Sequence, residues 1–192
     1  VDRVVFGNVL QTSGDAIYHA RHVGLKAGCP VSVPGLTVNR LCGSGFQSVI
    51  TGAQQILLGE ATTVLVGGSE SMSQAPHIIR GARWGLPLGK APMTDALWES
   101  LTDSWCKLPM ALTAENLADQ YEISREDADT YAIRSQEAYQ AALADGRFTA
   151  EIAPLSRTDR KGRTITVDSD ECPRAGTTPA GLAKLPTVFK KD

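Results

Sequence analysis

At 192 residues and 42% hydrophobic content, the chain can bury a core for one domain or a domain with a subdomain. Its formal net charge of −2 gives no global electrostatic reason to expect nucleic acid or an acidic membrane surface as partner. Cys29, Cys42, Cys106 and Cys172 are scattered with no Cys-x-x-Cys pair, which argues against a structural zinc site and fits reduced intracellular thiols. No apolar run approaches the ~20 residues that span a bilayer. The opening Val1-Asp2-Arg3-Val4-Val5-Phe6 lacks the basic start and sustained apolar core of a signal peptide.

Along residues 1–74 the pattern alternates strand and helix as parallel βαβ units do. A strand over residues 4–10 leads to Ser13-Gly14-Asp15, which can cap a helix over about residues 16–27, and Gly28-Cys29-Pro30 stops that helix. The β-prone stretch Gly35-Leu36-Thr37-Val38-Asn39-Arg40-Leu41 then runs into Cys42. After Gly43-Ser44-Gly45, the residues Phe46, Val49, Ile50, Ala53, Ile56 and Leu57 recur at helical intervals as one apolar stripe. Gly59 closes the segment, and residues 62–66 read as a short, fully buried strand. This predicts a three-layer α/β domain with ligands at the carboxyl ends of its strands, where Cys42 lies.

From about Gln74 the character changes, with prolines at 76, 87, 92 and 109 and glycines at 81, 85 and 89. A helix is expected near Thr113, with Glu115 in its first turn. A second opens on the capping-box sequence Ser124-Arg125-Glu126-Asp127 and carries Ala128, Tyr131, Ala132, Ser135, Tyr139 and Ala142 on one face. Asp145-Gly146 ends it. Residues 152–155 and 164–167 can pair as a ribbon around Arg160-Lys161-Gly162.

A thiol at a strand-to-helix turn sits near free backbone N–H groups and the positive end of the helix dipole, which favours thiolate and offers oxyanion donors. The neighbouring glycines leave room for a substrate. The residue pattern alone leaves open a second reading, in which Cys42 is a small core hydrophobe. His19 and His22 read as surface or packing residues, and His77 as structural. The Arg157, Arg160, Lys161, Arg163 cluster reads as a solvated hairpin, with attraction to a phosphate as the lesser reading.

Four ordered stretches carry a family resemblance. Asn39-Arg40-Leu41-Cys42-Gly43-Ser44-Gly45-Phe46-Gln47-Ser48 closely resembles the nucleophile motif of the thiolases. Gly67-Gly68-Ser69-Glu70-Ser71-Met72-Ser73, Met110-Ala111-Leu112-Thr113-Ala114-Glu115-Asn116 and Leu185-Pro186-Thr187-Val188-Phe189-Lys190-Lys191-Asp192 follow in the family's order. The resemblance implies a thiolase-like α/β fold: the layered α-β-α N-terminal half with an inserted loop domain, incomplete. Residues 1–74 would be part of the core domain, and 75–192 the loop domain that covers the active site and holds coenzyme A. The family's Asn-Glu-Ala-Phe, Gly-His-Pro and Cys-x-Gly motifs do not occur here. This chain alone is therefore expected to be inactive, because the histidine and second cysteine are missing.

By the same resemblance Cys42 carries the acyl group as an enzyme thioester, in the thiolytic cleavage of 3-ketoacyl-CoA of fatty acid β-oxidation or the reverse condensation of acetyl-CoA. Leu101 and Met110 match residues beside the pantetheine arm, while Arg174 and Thr177 match positions near the adenine and phosphate end. Coenzyme A is a substrate; no cofactor or metal is implied. Thiolases are dimers or tetramers, so a homo-oligomer is expected, in the cytoplasm of a bacterium or the mitochondrial matrix of a eukaryote. Pro109 before Met110, together with Leu97-Trp98 and Ser100-Leu101-Thr102-Asp103, resembles the mitochondrial-type 3-ketoacyl-CoA thiolases. The alternatives are a biosynthetic, acetoacetyl-CoA-forming thiolase, and a non-catalytic fragment that only binds coenzyme A or a partner subunit.

Overall fold

The structure, a computed structural model, describes residues 1–190; Lys191 and Asp192, the last two of the closing motif, lie outside the described residues. Three parallel strands make the principal sheet: β1 (Arg3–Gly7), β2 (Gly35–Val38) and β3 (Val64–Gly68), in the order β2-β1-β3. The register pairs Gly7 with both Val38 and Gly68, so all three carboxyl ends finish level. Parallel neighbours need crossovers, and helices α1 (His19–Lys26) and α2 (Ser44–Leu57) supply them.

Side chains alternate across β1. Val4 and Phe6 face α1, where Val4, Ala20 and Val33 form the buried core with Phe6, Cys29 and Leu65 packed against it. Gly7, on the opposite face, approaches α2: a Cβ there would fall 2.7 Å from the Ser44 carbonyl carbon. Helices therefore cover both faces, as the α/β layering predicts.

The packing face of α2 differs from the predicted stripe. Phe46 is 79% exposed and Leu57 84%, while Ser44, Ser48 and Gly52 are buried. The small residues let the helix lie close on the sheet: a Cβ on Gly52 would meet Val66 Cγ1 at 2.7 Å. Close approach, rather than side-chain hydrophobicity, selects the inner face.

Other expectations shift at their edges. β1 stops at Gly7 and β2 at Val38, short of the predicted ends. β3 begins at Val64 and is half-buried rather than fully buried, because among the described residues it is an edge strand. A 3₁₀ turn, Ala16–Tyr18, precedes α1, and Asp15 makes no cap bond. Its carboxylate instead accepts from Ser13 Oγ at 2.6 Å and pairs with His22 Nδ1 at 3.4 Å, which hold its pKa below the ordinary value. Both helices end on glycine in the left-handed region, Gly28 at φ 83° and Gly59 at φ 73°.

Short elements follow: the antiparallel pair β4 (His77–Ile79) and β5 (Met93–Asp95), helix α3 (Ala96–Ser100), and the pair β6 (Thr102–Asp103) and β7 (Leu108–Pro109). The contacts divide the chain into two compact units, Val1–Pro109 and Met110–Asp192. The compositional change near residue 74 thus marks the end of the βαβ alternation, and residues 75–109 belong to the first unit.

In the second unit α4 (Met110–Gln120) starts ahead of Thr113, whose hydroxyl donates to the Met110 carbonyl at 2.6 Å; Glu115 consequently lies beyond the first turn. Helix α5 (Arg125–Ala144) has the full capping box, with the Ser124 hydroxyl and backbone N–H holding the Asp127 carboxyl below its ordinary pKa. Its half-buried residues are Asp129, Ile133, Gln136, Tyr139, Gln140 and Ala142; Tyr139 and Ala142 belong to the predicted face, whose Ala128, Tyr131, Ala132 and Ser135 are exposed. The ribbon pairs β8 (Leu155–Thr158) with β9 (Thr164–Val167), so its first strand lies later than predicted. Helix α6 (Pro179–Leu182) closes the unit.

Two predictions test this packing. Asp2 Oδ2 accepts from the Thr62 N–H at 2.8 Å, the Thr62 hydroxyl at 2.7 Å and the Thr63 N–H at 3.0 Å. The Thr62 N–H leads in holding its pKa at about 2, against an ordinary 3.8. A depressed carboxyl stabilises the fold above the unfolded value and loses that contribution as pH falls through the folded one. Thermal melting should therefore show Asp2→Ala less stable than wild type at neutral pH, with the gap closing between about pH 4 and pH 2. The second variant is Gly7→Ala, which meets backbone that cannot rotate away. It should cost about 1–3 kcal/mol by urea denaturation; a neutral effect would contradict the close β1–α2 approach.

Candidate active site

Beyond Val38 the sheet ladder ends, and five residues turn the chain into α2. Leu41 adopts the left-handed region at φ 49°, which is uncommon for a residue with a side chain. Local bonds hold it there. The Asn39 Oδ1 accepts from the Leu41 N–H at 2.9 Å, the Gly43 N–H donates to the Arg40 carbonyl at 3.1 Å, and the Ser44 N–H donates to the Leu41 carbonyl at 3.0 Å. Buried Ser44 adds two more, its hydroxyl donating to the Leu41 carbonyl at 2.6 Å and accepting from the Arg40 N–H at 2.9 Å. Arg40 reaches Gln47 Oε1 at 2.7 Å across the first helical turn.

Cys42 projects from this turn directly before Gly43, the N-terminal cap residue of α2, and its side chain is exposed. It is neither inside a helix nor walled off by aliphatics. The Gly43 and Ser44 N–H groups close the turn, so the donors nearest the helix start are partly committed. A Cβ on Gly45 would meet nothing within 4 Å, and the space beside the thiol is open.

The thiol lines a cavity of about 400 Å³ at the carboxyl ends of the three strands. Its walls come from Val9 and Leu10 after β1, Cys42 and Gly45 at the α2 start, Glu70 after β3, and Leu101 after α3. Glu70 binds the loop after β1: Oε2 accepts from the Val9 N–H at 2.7 Å, and Oε1 from the Leu10 N–H at 3.1 Å and the Asn8 side-chain Nδ2 at 3.2 Å. His19 packs edge-on to Phe6 and bonds Ser69 Oγ at 3.0 Å.

The four expected binding residues fall in both units. Leu101 caps α3 and shares the Cys42 cavity. Met110 opens α4 in the second unit. Arg174 is exposed; its N–H donates to Gln136 Oε1 at 2.8 Å, and its carbonyl accepts from the Thr177 hydroxyl at 2.9 Å. Sequence reasoning placed Asn39 and Glu70 inside family motifs without giving either a role, and it missed the Val9–Leu10 loop. An asparagine two places before a non-glycine turn residue was a further signal for Asn39.

The turn geometry is testable by denaturation. Leu41→Val should be less stable than Leu41→Gly by about 1–2 kcal/mol, because a β-branched residue resists the left-handed region; equal stabilities would contradict the turn.

Comparison with known proteins agrees with this architecture. The family described as "Thiolase, N-terminal domain" matches residues 1–192. The chain is 54% identical to human mitochondrial 3-ketoacyl-CoA thiolase over all of its length and 48% of the relative's. It is 46% identical to the acetyl-CoA acetyltransferase of Pseudomonas aeruginosa, again over all of this chain and 49% of the relative. The crystal structure of the human mitochondrial enzyme in complex with CoA superposes with a TM-score of 0.92 at 54% identity, covering this whole chain and 48% of that one. The chain thus spans about half the length of the curated relatives it matches. Matched over its whole length by that family model, the chain belongs to the thiolase family.

Proposed function

We propose that this chain supplies the nucleophile half of a thiolase that cleaves 3-ketoacyl-CoA with coenzyme A. The observation that carries the reading is Cys42, exposed at the head of α2 and open to the cavity. In this reading its sulfur attacks the 3-keto carbonyl and the bond between the α- and β-carbons breaks. The acetyl-CoA enolate leaves and takes up a proton, and the shortened acyl group stays on sulfur. A coenzyme A thiol then attacks that thioester, giving the shortened acyl-CoA and freeing Cys42. Sulfur suits both steps, being a strong nucleophile and a good leaving group. The Cys42 N–H is the chain's own candidate donor to the oxyanion, and losing such a donor typically costs about 3 kcal/mol in the barrier.

By the family resemblance, a histidine that activates the thiol and a second cysteine that moves the α-carbon proton belong to motifs absent from this sequence. Turnover is accordingly assigned to the protein that carries those motifs, and the chain's own part is to hold the acyl group. Leu101 beside the cavity suits the pantetheine arm. Met110, Arg174 and Thr177 are assigned to coenzyme A by motif position. Greater identity to the mitochondrial 3-ketoacyl-CoA thiolase than to the bacterial acetyltransferase favours cleavage, with condensation of acetyl-CoA as the second activity. We also assign a homo-oligomeric state, and a mitochondrial matrix or bacterial cytoplasmic location according to source. Among the described residues no helix is long and apolar enough to cross a membrane.

Alkylation tests the central assignment. Cys42, Cys106 and Cys172 are all exposed, so exposure alone predicts equal labelling. With limiting iodoacetamide at neutral pH, peptide mapping should find Cys42 modified roughly tenfold ahead of the other two. Indiscriminate labelling would defeat the reading. In the protein carrying the histidine and second-cysteine motifs, Cys42→Ser should abolish both acetoacetyl-CoA cleavage and the acyl-protein adduct detected by mass spectrometry.

A further inference from the structure

The sheet ladder stops with the Asn8 N–H on the Val38 carbonyl and the Ser69 N–H on the Gly7 carbonyl, both at 3.1 Å. Past that level the loops lining the cavity are joined by side chains instead. We propose that Glu70 and Asn39 are positioning residues, which together lock the loop after β1 to the turn that presents Cys42; the proposal rests on Cys42 being the nucleophile. The bonds form one continuous chain. Glu70 Oε2 holds the Val9 N–H at 2.7 Å, the Val9 carbonyl accepts from Asn39 Nδ2 at 3.3 Å, and Asn39 Oδ1 accepts from the Leu41 N–H at 2.9 Å. Leu41 is covalently joined to Cys42 and sits in the left-handed region, where a non-glycine residue needs outside support.

The chemistry of both side chains is specific to this task. Three donors converge on the Glu70 carboxyl, from Asn8, Val9 and Leu10, so both of its oxygens must accept. An ionised carboxylate is acceptor-only, whereas an amide of equal size turns an NH₂ toward at least one of those donors. Asn39 needs one donor and one acceptor at once, which an amide provides and a carboxylate does not. With both oxygens accepting from the loop, Glu70 acts on Cys42 through Val9 and Asn39.

The test measures iodoacetamide labelling rates at Cys42 in the intact protein for wild type, Glu70→Gln, Asn39→Asp and the double variant. Each single change should slow labelling about tenfold, the effect of losing one charge-assisted bond to the loop or the one bond from Asn39 to the Val9 carbonyl. Because both act through the same link at Val9, the double variant should be no slower than the slower single. Half-buried Cys29, packed against the Val4 core, reports folding and should label equally slowly in all four. Should Glu70→Gln expose Cys29, Asn39→Asp decides alone, since it keeps the acceptor for Leu41 and loses only the donor to Val9. Rates unchanged or raised at Cys42, or single effects that multiply to about a hundredfold, overturn the proposal. Wild-type protein that labels indiscriminately would instead remove the nucleophile reading, a distinguishable failure.

Discussion

Gly7 and Ser44 meet through their backbones, and the position of Cys42 follows from that approach. Gly7 ends the central strand, and a Cβ on it would stand 2.7 Å from the Ser44 carbonyl carbon. Only glycine lets the head of α2 sit this close to the carboxyl end of β1. Ser44, pressed into that contact, is buried, and its hydroxyl must find partners there. It finds them in the Leu41 carbonyl and the Arg40 N–H, which fix the residues on the N-terminal side of the thiol. A packing constraint thereby becomes a constraint on where a sulfur atom can be.

The same requirement for closeness runs down the helix. Ser44, Ser48 and Gly52 recur every four residues and turn toward the sheet, where Gly52 lies against Val64 and Val66. Large side chains on that face would hold the helix away and pull Cys42 out of the cavity. Phe46, Val49 and Leu57 point the other way and remain exposed among the described residues. The small face of α2 is thus the one against the sheet, and it sets how close the helix lies.

Strain at Leu41 has a functional counterpart. Holding a leucine in the left-handed region costs of order 1–2 kcal/mol, and a web of turn bonds around Asn39 and Ser44 offsets it. The return is a thiol presented outside the helix and open to the cavity. The fixed turn is the local condition that the proposed nucleophile needs to approach a carbonyl carbon along one direction.

Much of this was legible in the amino-acid order. The βαβ alternation, the stop signals at Gly28 and Gly59, the capping box at Ser124 and the placing of Cys42 at a strand-to-helix junction are all local, and local propensities write them. The thiolase motifs went further, because four ordered matches constrain the whole chain. What the sequence could not determine depends on residues far apart in it. The face of α2 that meets the sheet is not marked by periodicity, which picks out the apolar residues, whereas the close approach takes the small ones. The half-burial of β3 depends on its place at the edge of the sheet, which no window of its own residues contains. Glu70 and Asn39 are separated by a helix and a strand, and only the parallel sheet brings their loops to one rim. Sequence set the chemistry of the thiol; the level ends of three strands decided what surrounds it.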